Sequence, residues 1–246
     1  MSISKDLIDS YYSIKFENLD QESVTASRNL LMDCIGNIVA SYRVDKNEKL
    51  NKKFIDSLSK ETEFLPFFLG MLIHRLDFDD THYGALIHTG SITVPAAIYS
   101  SFLKKTSGED LLTSICIGVE LAVTLASVEK HMFHKKGFHA TALVGPFSSS
   151  LIYSYLNGYS KNKAIDAFGI AGSFTSGNLS FLNSGDNTKI VHPGWASFSG
   201  CKATEITNYS VTGSASIFED DNGFFSLYSN VENISKKIKT NIDDYE

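Results

Sequence analysis

Apolar residues along most of this chain recur at helical spacing. Between positions 22 and 42, Val24, Leu30, Leu31, Cys34, Ile35, Ile38, Val39 and Tyr42 form one stripe, and Asp20 stands where a side chain caps a helix start. A second helix is expected after Pro95, which suits a first-turn position, running through Ala96, Ala97, Tyr99 and Phe102. Ser107 with Asp110 three residues on is a variant of the capping box, and it opens a long apolar helix over 111–128. Further helical patterns cover 141–156, 161–174 and 195–209, with Gly158 placed to stop one helix and Ser160 to cap the next. Strand-like alternation is scarce, and a strand–glycine-loop–helix unit of the dinucleotide-binding kind is absent. The pattern predicts an all-α domain over residues 1–229, built as a multi-helix bundle. Residues 230–246 are polar and charged and are expected to add little to a core, as a tail or the start of a further domain.

Composition narrows the class. Hydrophobic residues make up 43% of the 246, enough for a sizeable buried core and too many for a disordered chain. The net charge of −6, with no long basic stretch, argues against nucleic acid, which needs a concentrated positive surface. Cys34, Cys116 and Cys201 are odd in number and far apart, which suits reduced thiols rather than a disulfide framework or a zinc site. The opening Met-Ser-Ile-Ser-Lys-Asp has no apolar core of signal-peptide length. The most apolar stretch, 111–128, is interrupted by Glu120 and so reads as a buried helix, not a membrane span. A cytoplasmic location is the expectation.

Candidate chemistry lies in three loops, at 77–90, 130–139 and 183–194. The first carries Asp77, Asp79, Asp80, Thr81, His82 and His88. Such a set can bind a divalent metal, form an acid/base site in which an aspartate fixes a histidine tautomer, or simply be a solvated loop whose aspartates cap a helix. In the second, His131, His134 and His139 have no nearby cysteine, and their spacing is weak for zinc. His139 sits where a glycine turn meets a helix start, a place that favours anions, whereas Lys130, Lys135 and Lys136 read as solvated. The third places Lys189 three residues before His192, again concentrating donors at a helix entry. No nucleophile elbow, Walker loop or His-Glu-x-x-His motif is present.

In this order the three loops resemble the MmgE/PrpD family of dehydratases, decarboxylases and epimerases. The resemblance runs through Leu76-Asp77-Phe78-Asp79-Asp80-Thr81-His82, His88-Thr89-Gly90 and Gly137-Phe138-His139-Ala140-Thr141. It continues in Ala167-Phe168-Gly169-Ile170-Ala171-Gly172, Thr188-Lys189 and His192-Pro193-Gly194. It implies the family's large helical domain and a cofactor-independent lyase or isomerase that moves a proton beside a carboxylate of a small di- or tricarboxylate. Carried over by position, it implies His88, His139, Asp79 and Asp80 as catalytic residues, with Thr81, His82, Lys189 and His192 binding substrate and no metal. It further implies a homodimer, and an α/β lid domain that residues 1–246 do not contain. A separately encoded lid subunit is one expectation; a non-catalytic carboxylate-binding or protein-interaction module is the alternative. The chain departs from the family pattern at Thr89, at Leu69 and over 43–63.

Overall fold

The computed structural model describes residues 2–44 and 48–243. Among them there is no β-strand, only the isolated bridges His82–Ile87 and Phe138–Asn178. In chain order the helices are α1 (Ile3–Ser13), α2 (Gln21–Val44), α3 (Glu48–Ser57), α4 (Leu65–His74), α5 (Gly90–Lys104), α6 (Gly108–Ala126) and α7 (Met132–Lys135). They continue as α8 (Ala140–Leu156), α9 (Lys161–Gly172), α10 (Phe181–Ser184), α11 (Val191–Ile206), α12 (Phe224–Tyr228) and α13 (Ile234–Asp243). The fold is all-α.

Helix α8 is the axis of the bundle, packed by α5, α6, α9 and α11. Its sequence is apolar or small all the way round, as a helix enclosed by others must be, and every residue except Tyr155 is buried. Buried hydroxyls need acceptors, and here they tie α8 to its neighbours. Ser148 Oγ donates to the Gly118 carbonyl of α6 at 2.7 Å, and Ser149 Oγ to the Ile92 carbonyl of α5 at 3.0 Å. On one side of α8 lies an aromatic core with Phe147, Phe168, Phe218 and Phe224; on the other, Ile152 and Tyr153 pack with Leu72, Ile73 and Val94.

Helices α4 and α11 touch backbone to backbone. A Cβ at Gly70 would stand 2.8 Å from the Gly194 Cα, and one at Gly194 would stand 2.4 Å from the Phe67 carbonyl oxygen. Gly194→Ala is therefore expected to wedge α11 off α4 and to cost about 1–3 kcal/mol, the usual penalty for overpacking. A lowered melting midpoint with unchanged helical circular dichroism checks this; an unaltered midpoint would show that the helices part freely.

The caps read from sequence are in place. Asp20 Oδ1 accepts from the Ser23 amide at 2.6 Å, and Ser107 Oγ from the Asp110 amide at 3.0 Å. Gly158 is left-handed at φ +70°, just past the end of α8. Helix α5 differs from expectation: it starts at Gly90, so Pro95 lies inside it rather than in its first turn. The reason is a cap from outside the local sequence, because the Asp80 carboxylate accepts from the Thr89 amide at 2.9 Å and the Gly90 amide at 2.7 Å. The last stretch also does more than expected, since Ile238 of α13 is only 1% exposed and joins the aromatic core. Residues 244–246 lie outside the described residues.

Candidate active site

Four histidines stand at helix ends that converge. His74 closes α4, His88 precedes the start of α5, His139 is the N-cap of α8, and His192 is in the first turn of α11. Lys189 occupies the short 3-10 turn Thr188–Ile190 leading into α11. The ring centroids of His74 and His88 are 4.4 Å apart, those of His88 and His139 6.0 Å, and those of His139 and His192 5.3 Å. The three loops singled out in the sequence thus close around one place.

Each imidazole is oriented through one nitrogen. His74 Nδ1 lies 2.8 Å from Asp79 Oδ2, with both side chains wholly buried. The carboxylate can only accept, so this nitrogen carries the proton. His88 Nδ1 lies 3.0 Å from the Asp80 carbonyl, which fixes the same tautomer and leaves Nε2 with the free lone pair in the neutral ring. Asp79 Oδ2 is also 3.6 Å from His88 Nδ1, so one carboxylate steadies two rings. His139 Nδ1 faces His192 Nδ1 at 3.1 Å, so one of these nitrogens donates to the other. The His139 backbone is pinned by its amide, which donates to the Gly177 carbonyl at 2.9 Å.

A cleft of about 330 Å³ opens over this cluster, lined among others by Asp77, Thr81, His88, His134, His139, Phe181 and Lys189. A hollow of similar size, about 310 Å³, lies at Tyr12, Lys15 and Tyr155, but it gathers no imidazole. Lys189 Nζ is 2.5 Å from Asp77 Oδ1, so in the free protein a carboxylate of the chain itself occupies the lysine. Two non-glycine residues of the lining, Asp77 at φ 58° and Leu86 at φ 53°, are left-handed, a conformation that surrounding packing must hold in place.

Burial works against charge on three of these imidazoles. Burial pushes the His88 pKa below its ordinary value, and His74 and Lys189 push the same way against the pull of Asp79. His139 is driven well below the ordinary range, first by burial and then by the neighbouring histidines and Lys189. Burial likewise lowers His192. Burial raises the Asp77 carboxyl, but Lys189 outweighs it and holds the group below its usual value. Asp80 is raised, by burial and by the nearby Asp79, despite the hydrogen bonds that favour its charge.

The sequence candidates fall into three groups. Thr81, His88, His139 and Lys189 line the cleft; Asp79 and His192 stand behind it, each holding a lining ring. Asp80 turns its carboxylate into the start of α5, and His82 uses Nδ1 to accept from the Ala85 amide at 3.1 Å within its own turn. Neither lines the cleft. Sequence reasoning gave no role to His74 and none to Asp77 as partner of Lys189. The signal for His74 was a lone imidazole closing an otherwise apolar helix just ahead of three aspartates.

The model of the MmgE/PrpD N-terminal domain matches residues 66–237. The chain belongs to the MmgE/PrpD family. All the residues of this cluster, from His74 to His192, lie inside the matched span. Among curated relatives, the cis-aconitate decarboxylase of Mus musculus is 25% identical, over 93% of this chain and 50% of that protein. The cis-aconitate decarboxylase of Homo sapiens is 23% identical, over 99% of this chain and 53% of that protein. The chain thus spans about half the length of these relatives. No helix among the described residues is long and apolar enough to cross a membrane.

Proposed function

We propose that this helical domain binds a small di- or tricarboxylate and supports lyase or isomerase chemistry by moving a proton at the carbon beside a carboxylate. The observation that carries the reading is His88: a tautomer locked by a carbonyl, a free Nε2 lone pair, and a place in a cleft that also presents Lys189. Lys189 and His139 take substrate carboxylates, which lowers the cost of negative charge developing on carbon. His88 is the acid/base, because burial lowers its pKa and leaves the Nε2 lone pair open to take a proton. Asp79 orients His88 and His74; Asp80 and His82 hold the loop that presents them. No resident metal or organic cofactor enters this scheme.

Decarboxylation, as in the named relatives, fits the same groups. The departing carboxylate leaves as CO2, its bonding electrons spread into the adjoining unsaturated acid, and the carbon is protonated through His88, which draws that proton from solvent. The test is to incubate the purified chain with cis-aconitate and with citrate-type acids in D2O. CO2 release, loss of water and deuterium entry at carbon are followed. Turnover that falls with both His88→Gln and Lys189→Ala supports the reading, and turnover indifferent to both overturns the assignment. The second reading is a carboxylate-binding module; tight binding with no turnover, even when a lid-type partner is supplied, is its signature.

Two further outcomes follow. Because burial lowers the His88 pKa, the base stays unprotonated to more acidic pH than a free imidazole. The acid limb of kcat/KM is therefore expected below pH 6.5, the ordinary value; a limb above it would place the base elsewhere. Asp77→Asn removes the carboxylate that occupies Lys189, so tricarboxylate binding is expected to tighten. A half-exposed ion pair of this kind contributes about 0.2–1 kcal/mol, a gain of up to roughly fivefold in Kd by calorimetry. Weaker binding would mean that Asp77 assists the ligand rather than competing with it.

A further inference from the structure

One ring nitrogen from each of His74, His88 and His139 lies within 4.8 Å of the other two. His74 Nε2 is buried and has no hydrogen-bond partner, on a side chain whose residue is 1% exposed. A buried nitrogen without a partner is costly and calls for an explanation. Its neighbours supply one, because each of the three rings has its other nitrogen already held: His74 by Asp79, His88 by the Asp80 carbonyl, and His139 by His192. Imidazoles oriented from behind by a carboxylate, a carbonyl or another polar group, with the second nitrogen free, are how proteins prepare metal ligands.

We propose that His74, His88 and His139 form a binding site for a zinc(II) ion, which enters through the cleft and blocks it. Three histidines with a fourth position left open are a recurrent zinc arrangement, and imidazole donors favour late first-row ions over magnesium or calcium. His88 and His139 line the cleft, so the open position faces it. Zn–N bonds of about 2.0–2.1 Å put neighbouring ligand atoms roughly 3.3 Å apart, so the rings must draw together by an ångström or so. The charge is met by Asp79 behind His74 and His88 and by Asp77, which with His74, Asp79 and His88 forms an overlapping set of donors within 4.8 Å. Zinc selects the His139 tautomer that donates from Nδ1 to His192, since only that form frees Nε2. On the functional reading above, the ion occupies the lone pairs needed for proton transfer, so it acts as an inhibitor and not as a cofactor.

The test measures binding without substrate, so it stands or falls separately from any turnover. The chain is stripped with a chelator and titrated with cobalt(II) chloride, then with zinc chloride. One cobalt per chain with intense visible absorption of tetrahedral type, displaced by zinc, is the expected result. His88→Gln and His139→Gln are each expected to weaken binding by about tenfold or more, with helical circular dichroism confirming the fold. If His139→Gln does not fold, the half-buried His88 decides alone. Absence of the tetrahedral bands at excess cobalt, or bands undiminished in the folded variants, would overturn the site. Metal binding in a chain that turns nothing over leaves this inference intact and removes only the catalytic reading.

Discussion

Replacing His88 with glutamine is expected to lower kcat for proton transfer by about 10²–10⁴-fold, the usual contribution of a positioned acid/base. Glutamine keeps a donor for the Asp80 carbonyl, which His88 Nδ1 now meets at 3.0 Å, so the loop stays in place. It has no lone pair of imidazole basicity to offer the substrate. The ring is half-buried at the edge of the cluster, so the loss should appear in kcat with little change in the melting midpoint. Steady-state kinetics on a substrate found active in the assays above decide the point. A variant with wild-type kcat would show that another group moves the proton, and His139, on the same cleft, is then the candidate.

The second large effect is on stability. Asp80→Ala is expected to cost about 2–4 kcal/mol, because it deprives the Thr89 amide, the Thr89 hydroxyl and the Gly90 amide of one shared acceptor. The start of α5 and the loop bearing His88 and Asp79 lose their common anchor, so tricarboxylate binding should fall with the melting midpoint. Asp80→Asn, which keeps one acceptor oxygen, should cost less, and pH separates the two contributions. The Asp80 carboxyl is raised by burial and by Asp79, so the native state holds its proton more tightly than the unfolded chain does. That contribution is largest at low pH and is lost as pH rises through the native pKa. The asparagine variant lacks this loss, so its deficit against wild type should shrink as pH increases. A midpoint for Asp80→Ala equal to wild type would show that the carboxylate is not the cap.

What the sequence made legible follows from the range of the forces involved. Caps made within a few residues, such as Asp20 to Ser23 and Ser107 to Asp110, are local chemistry and were readable. The stripe of α2 was only partly readable: Val24 and Cys34 are buried, but Ile35, Val39 and Tyr42 are exposed, and Ser27, Asn37 and Ser41 take the buried face instead. Helix α4 offered no such stripe, since nearly all its residues are apolar and buried, and its closing histidine was hidden in that apolar run. The start of α5 was placed too late because its cap comes from Asp80, ten residues before Gly90. Site geometry divided in the same way. The spacing of loops marked His88, His139 and Lys189, but which aspartate faces which ring depends on how α4, α8 and α11 pack. Only the fold separates Asp79, held against His74, from Asp80, turned into a helix start, although the two are adjacent in sequence.

On the function proposed above, the cleft that Lys189 shares with His88 and His139 takes a multiply charged acid. Titration calorimetry of the chelator-treated chain with citrate, repeated for Lys189→Ala and His139→Gln, addresses it most directly. One tricarboxylate per wild-type chain is expected, bound less tightly as salt is added, with each substitution weakening binding by about tenfold or more, as loss of a charge-assisted hydrogen bond requires. Absence of binding by the wild type, or binding that ignores both substitutions, would contradict it.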